Sequence, residues 1–299
     1  MQEEKLNLRR AMDQPKFQLA RRHLRDYRDR VDTSLSQEYW QSLSPLKREA
    51  VNGGDQLTAK AVWCLETIGR IQDHFVTAFN QIMSGECEEA WQQLERCEIE
   101  ISFLDRHFSE RPGEFGVEHA RIHTKKCQEL YLLNWGFSPA FLCKDIRCSI
   151  CNAKITLRSE CGHELGEIHD GEMCGRVVKD FELLHIALVE KPVQKYSVFF
   201  PDGNDDDRLA PIKFLGRNLI SPWHRWSYYK EVRRQHHPVF RNVRRNDPCP
   251  CDSGRKYKRC CLGNEELFPH FQFSFEEHTA NEMSPLEVIR PRRSQITFR

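Results

Sequence analysis

Apolar residues recur at three- and four-residue steps through the first half of the chain, the period of an α-helix with one buried face. Ala61, Leu65, Ile68, Phe75, Phe79 and Ile82 make one such stripe, with Ile71 beside it. Trp91, Leu94, Cys97, Ile101, Leu104 and Phe108 make the next. Asp55, after Gly53-Gly54, is placed to cap the first of these helices and Ser84-Gly85 to stop it. Helices joined by so short a turn pack antiparallel. Upstream, Asp13 with Pro15 behind it predicts a helix start; downstream, Pro112-Gly113 closes the hairpin and Val117–Asn134 reads as a further helix. No second copy of this pattern recurs at a fixed period, which predicts an irregular helical bundle over residues 1–137 rather than a repeat array.

The period changes after Trp135-Gly136-Phe137-Ser138-Pro139. Lys154–Leu157 alternates like a strand, and Leu183–Val189 and Tyr196–Phe200 are rich in β-branched, aliphatic and aromatic residues around Lys191-Pro192. They predict strands. Within this region Cys148-x2-Cys151 is followed by Cys161-Gly162-His163 and Cys174. A CxxC turn presents two sulfurs to one ion, and the other three residues compete for the two places left in a tetrahedral zinc site. The preferred set is Cys148, Cys151, His163 and Cys174, with Cys161 as substitute or neighbour. In general spacing the cluster resembles zinc-ribbon and treble-clef modules. The whole chain therefore reads as α+β: helical domain 1–137, zinc-binding β-rich domain 138–215, basic and aromatic connector 216–243, a second zinc module 244–263 and a tail 264–299.

That second module holds Cys249, Cys251, Cys260 and Cys261 in a C-x-C-x8-C-C array. Four soft thiolates suit Zn²⁺ in a closed, structural site, although cysteine-rich sites also accept iron. With Arg245-Asn246-Asp247-Pro248 leading in, Ser253-Gly254, Lys256-Tyr257-Lys258 and the closing Cys260-Cys261, the segment resembles the SEC-C motif, known from the tail of the bacterial preprotein translocase ATPase. Asp252 stands where that family usually has Gly, and Cys261 where some members have His. The resemblance implies a small zinc-bound module that docks to a ribosome or a chaperone. No phosphate loop is present to carry the translocase activity with it.

Charge adds position rather than amount. The 299 residues have a formal net charge of only +1, yet cations cluster at Arg21, Arg22, Arg25, Arg28 and Arg30, at Arg233-Arg234, across Arg241–Arg259 and in the tail from Met283 to Arg299. Trp223-His224-Arg225-Trp226-Ser227-Tyr228-Tyr229-Lys230 interleaves rings with cations, a pattern that stacks on RNA or DNA bases or else packs inside the fold. Thirteen cysteines without a signal core, and no apolar run long enough to cross a bilayer, predict a soluble, cytoplasmic, metal-binding chain without a membrane partner. The acidic loop Pro201–Asp207 lacks the Gly and Glu of a calcium-binding EF-hand loop. His119 and His123 are spaced to share a metal but have no acidic third ligand nearby. Nucleophile elbows, zinc-protease and dinucleotide motifs are absent. The residues thus predict a zinc-binding adaptor. The alternatives are a metal-dependent nuclease centred on His163–Asp170, with His169 and Asp170 activating water beside a second cation, and a nucleic-acid-binding regulator.

Overall fold

The structure, a computed structural model, describes residues 2–28, 35–133, 135–190, 192, 195–200, 207–235, 240, 242–249, 254–263 and 266–275. Cys251, the acidic loop at 201–206, Arg30, Arg241 and the basic tail from Met283 lie outside them. The chain divides into two compact units, residues 1–201 with 212–223, and 202–211 with 224–299.

The first unit is built on helices α1 (Gln2–Met12), α2 (Gln18–Tyr27), α3 (Gln37–Asn52), α4 (Gln56–Ser84), α5 (Cys87–His107) and α6 (Val117–Leu130). Both apolar stripes are buried. Asp55 caps α4, its Oδ1 accepting from Thr58 N–H at 3.0 Å, and Gly85 ends it in the left-handed conformation at φ 82°. Cross-links pairing Arg70 with Glu100 and His74 with Gln93 fix α4 and α5 as an antiparallel pair. Gln72 of α4, fully buried, donates to Leu24 O at 2.8 Å and Phe115 O at 2.7 Å, tying α2 and the α5–α6 loop to the core. A seventh helix, α7 (Ala210–Asn218), lays Ile212 and Leu215 into the same unit. There a Cβ on Gly216 would stand 2.8 Å from the Ile82 carbonyl oxygen, so only glycine allows the approach.

Four sequence expectations differ from this architecture, the first being Lys154–Leu157, which makes only the isolated bridges Arg147–Lys154 and Thr156–Ser159 and no strand. Asp13 caps no helix. A single 3-10 turn, Pro15–Phe17, precedes α2, and the Asp13 carboxylate pairs instead with Arg111 at 2.6 Å and Arg21 at 2.8 Å. The cations of α2 are not a free basic face either: Arg21 and Arg25 both donate to Glu114 Oε1, at 2.5 and 2.7 Å, and Arg28 donates to Gly113 O. Tyr196–Phe200 is not a strand but a 3-10 turn, Lys195–Ser197, with one bridge from Val198 to Gly136. Trp91 Nε1 donates to Lys195 O at 2.8 Å and holds that turn on α5.

The Glu114 cluster carries a test. Burial pulls the Glu114 carboxyl upward, but hydrogen bonds from Arg21 and Arg25 outweigh it and hold it below its ordinary 4.5. A carboxyl lowered on folding stabilises the fold above its unfolded pKa and loses that contribution as pH falls through the lower folded value. Glu114→Gln leaves Arg21 buried with half its partners. Urea melts at pH 7 should show a loss of about 3 kcal/mol, and the gap from wild type should narrow below about pH 4.

The described strands form three two-stranded antiparallel ribbons: β1 (Trp135–Cys148) with β4 (Arg176–Glu190), β2 (Ile168–His169) with β3 (Glu172–Met173), and, in the second unit, β5 (Trp226–Gln235) with β6 (Glu266–Phe275). The short β2–β3 hairpin is nested in the β1–β4 connection. Its turn, Asp170-Gly171, has φ of 51° and 72°, the paired positive angles of a tight two-residue hairpin that Asp-Gly favours.

Candidate metal centres

The first centre lies where β1 ends. Cys148 N–H donates to Ala153 O and Asn152 N–H to Cys148 O, both at 2.9 Å, and Asn152 takes φ 58°, so the chain doubles back and aims Cys148 and Cys151 at one point. Ligand atoms of Cys148, Cys151, Cys161 and His163 all lie within 4.8 Å of one another. Tetrahedral zinc with bonds of about 2.3 Å to sulfur has S–S edges of about 3.8 Å. Cys174 Sγ, at 3.8 Å from Cys148 Sγ, is a fifth donor at that edge length. Sequence spacing favoured Cys174 over Cys161; the fold gathers Cys161 into the four-membered group and sets Cys174 against Cys148.

The electrostatics fit a cation. Backbone N–H of Cys151, helped by that of Ile150 against the opposing cost of burial, brings the Cys148 thiol down to about 6. That favours a thiolate, the form that ligates metal. Burial and the adjacent sulfurs push Cys174 up to about 11. His163 Nδ1 is buried without a hydrogen-bond partner, an arrangement costly unless something else satisfies it. By contrast burial drives Cys64, Cys97 and Cys127 up to about 12. All three are buried in the helical body and behave there as small hydrophobes.

The loop carrying these donors is seated on the helices. His107 Nε2 meets Gly166 O at 2.9 Å, and Lys47 pairs with Glu66 at 3.0 Å and Glu172 at 2.6 Å. Gln56 clamps the hairpin turn: its Nε2 donates to Asp170 Oδ1 at 2.5 Å, and its Oε1 accepts from Asp170 N–H at 3.0 Å. Asp170 therefore fixes a turn. His169 packs its ring edge-on to His163, centroids 4.7 Å apart, and so supports a candidate ligand. His169 Nε2 is buried without a hydrogen-bond partner. Gln56 and Lys47, which position the loop, carry no motif and became visible only once the fold brought them to it.

The second centre belongs to the second unit. Cys249, Cys260 and Cys261 have their sulfurs within 4.8 Å of one another. Cys249 N–H donates to Arg255 O at 2.8 Å, Tyr257 N–H to Asp247 O at 2.8 Å and Lys258 N–H to Arg245 O at 3.0 Å. Pro248 bridges Lys256, and Tyr257–Arg259 forms one 3-10 turn. Tyr257 is buried and stacks on Phe240 at 5.3 Å and 12°, while Arg255, Lys256, Lys258 and Arg259 face solvent.

Among the described residues metal-ligating atoms cluster at these two places. His119 and His123 do not add a third. Their rings stack at 3.9 Å, and His119 Nε2 meets Pro222 O at 3.0 Å. Trp223 packs on Phe75 and His119, so it is a residue of the helical body. Trp226 is 3% exposed and Tyr229 65%, which leaves Tyr229 as the open ring of the Trp223–Lys230 stretch. No helix of the described residues is long and apolar enough to cross a membrane.

A helical body followed by two cysteine-rich clusters defines a protein of α+β class with candidate metal-binding knuckles. The second knuckle is a SEC-C motif, matched over residues 245–263. Over 24 residues the chain is 74% identical to protein translocase subunit SecA of Azobacteroides pseudotrichonymphae, a stretch covering 8% of this chain and 2% of that protein. Over 64 residues it is 44% identical to SecA of Chloroflexus aggregans, covering 21% and 6%. A UPF0225 protein of Pectobacterium carotovorum is 50% identical over 57 residues, covering 19% of this chain and 32% of that one. The chain thus spans only a small part of each of these relatives. No solved structure matches it.

Proposed function

We propose that the protein is a cytoplasmic adaptor. Its helical domain (1–137) and the zinc-binding domain after it (138–215) form a body for one partner, and its zinc-loaded SEC-C module (244–263) docks on an RNA-rich surface such as a ribosome. The observation that carries this reading is the second centre: a few residues fold around a cysteine cluster, bury Tyr257 and turn four cations outward together. So short a segment cannot bury enough apolar surface to offset its own ordering entropy. Zinc on Cys249, Cys260, Cys261 and Cys251 would supply the missing folding energy, and the fixed cations would meet phosphates. The SecA relatives bear the same motif in translocases, which supports an interaction module rather than a catalyst. The nuclease reading loses support at Asp170, whose carboxylate and N–H are both held by Gln56 in the hairpin turn. A nucleic-acid reader that stacks on Trp223 or Trp226 loses it too, because both rings are packed.

Sedimentation of the zinc-loaded chain with ribosomes tests the proposal. Four cations on single-stranded RNA predict that log affinity falls against log salt with a slope of about −3. Arg255→Ala with Arg259→Ala should roughly halve that slope. A complex insensitive to salt, or one formed equally by a chaperone and unaffected by those changes, would retire the RNA-rich surface as the target.

A further inference from the structure

The first centre has one sulfur more than a tetrahedral ion takes. Cys148, Cys151, Cys161 and His163 bring their ligand atoms within 4.8 Å of one another, and four donors fill such a site. Cys174 is left over, buried, with its Sγ 3.8 Å from Cys148 Sγ. It stands there as a thiol, its Sγ donating to His163 O at 3.8 Å. The backbone keeps the two cysteines side by side: Ser149 N–H donates to Gly175 O at 3.0 Å and Gly175 N–H to Ser149 Oγ at 2.7 Å. Cys148 ends β1, and Cys174 lies between β3 and β4, so each sits where a strand gives way to a turn. A cavity of about 500 Å³ opens on the group, lined by Cys148, Cys161, His163, Cys174 and Arg176 among others. A peroxide, the size of two waters at about 30 Å³ each, fits there beside an ion.

We propose that Cys148 and Cys174 form a reversible disulfide that ejects the metal of the first centre when a peroxide reaches it. The Cys148 thiolate attacks one peroxide oxygen, the O–O bond breaks, and the departing hydroxide takes a proton from solvent to become water. The Cys174 sulfur then attacks the sulfenic sulfur of Cys148. An S–S bond forms, the S–O bond breaks, and the thiol proton leaves with the hydroxide as a second water. The two sulfurs together give up two electrons, one peroxide becomes two waters, and the ion leaves with its charge unchanged. Cys174 is the resolving sulfur because Cys151 and Cys161 stay bound to the ion while Cys174 does not. Closing the gap from 3.8 Å to a bond of about 2.05 Å withdraws Cys148 and leaves the ion three donors. The second centre has no such spare, since Cys249, Cys251, Cys260 and Cys261 are all needed to fill its four places. The inference rests on the metal-binding reading of the first centre and is independent of docking to RNA.

The test measures metal in the freshly purified full chain and again after hydrogen peroxide, with the disulfides mapped by peptide mass spectrometry. Wild type should start with metal at both centres, lose it first from the first centre as Cys148 joins Cys174, and regain it with dithiothreitol and zinc. Cys174→Ser should start with the same metal content and circular dichroism and release metal about tenfold more slowly, its Cys148 passing on to the irreversible sulfinic acid. Wild-type metal no higher than that of Cys148→Ser would remove the metal reading of this centre and the inference with it. A loaded first centre whose oxidised form joins Cys148 to Cys151 or Cys161, or leaves Cys174 a free thiol, would overturn the inference alone. So would loss of metal from Cys174→Ser before any oxidant, because Cys174 would then be a ligand.

Discussion

Cys148→Ser should loosen the Glu160–Cys174 loop on the helical body and halve the bound metal while the helices stay folded. Cys148 is the node of the first centre. It lies within 4.8 Å of three other candidate ligands and 3.8 Å from Cys174 Sγ, and its sulfur receives the backbone N–H bonds that bring its thiol down to about 6. Serine keeps the size and loses the soft thiolate. A structural zinc site contributes on the order of 10 kcal/mol of apparent binding energy at neutral pH. The loop is seated by a buried bond from His107 to Gly166, by the exposed contacts of Lys47 with Glu172 and Gln56 with Asp170, and by Ile168 and Met173 packed against the core. Each polar contact is worth about 1 kcal/mol. Metal therefore contributes more than any one of these contacts, and its loss loosens the ligand-bearing stretch around Cys161 and His163 first. Trypsin should cut at Arg158 and Arg176 within minutes in the variant, whereas far-UV circular dichroism, dominated by α1–α6, should change little. Loss of the helical signal would mean that the centre is part of the core, and unchanged metal content would mean that Cys174 or another donor takes its place.

The legible and illegible parts of the chain separate along physical lines. Helices α4 and α5 show in the sequence because each must bury a full stripe, and a stripe has a period. Helix α1 does not show, because Leu8, Ala11 and Met12 are its few buried apolar residues and charge fills the rest. Strand β1 is obscured by Gly136 and Pro139, which read as a break. Gly136 is there because a Cβ would stand 2.5 Å from Pro192 Cγ and 2.7 Å from Ser197 O, a long-range crowding that no local pattern carries. The cysteines declare two centres by spacing, since a turn that brings two sulfurs together is short-range. The choice between Cys161 and Cys174 depends on how a loop folds back, and that is set by Gln56, Lys47 and His107 on distant helices. Likewise the arginines of α2 look like a phosphate-binding run until Glu114, far along the chain, is seen to gather Arg21 and Arg25.

Cys260→Ser should unfold the SEC-C module alone and abolish docking while the first unit keeps its melting temperature. Within this module the described backbone bonds run from Arg245, Asp247 and Arg255 to Lys258, Tyr257 and Cys249, so each end holds the other in place only while the sulfurs are drawn together. Among the described residues of the module, Tyr257 is the one large side chain buried, against Phe240. Its burial is worth about 2 to 3 kcal/mol. Ordering each residue of the module costs about 1.5 kcal/mol, so the ring falls far short of what the segment needs, and zinc has to make up the difference. The variant should lose one equivalent of metal and its ribosome sedimentation and keep the helical circular dichroism, since the first unit shares no ligand with this module. Retained docking without the metal would show that exposed Arg255, Lys256, Lys258 and Arg259 act as a flexible basic run needing no scaffold, and would remove the reason for a cysteine cage at this end of the chain.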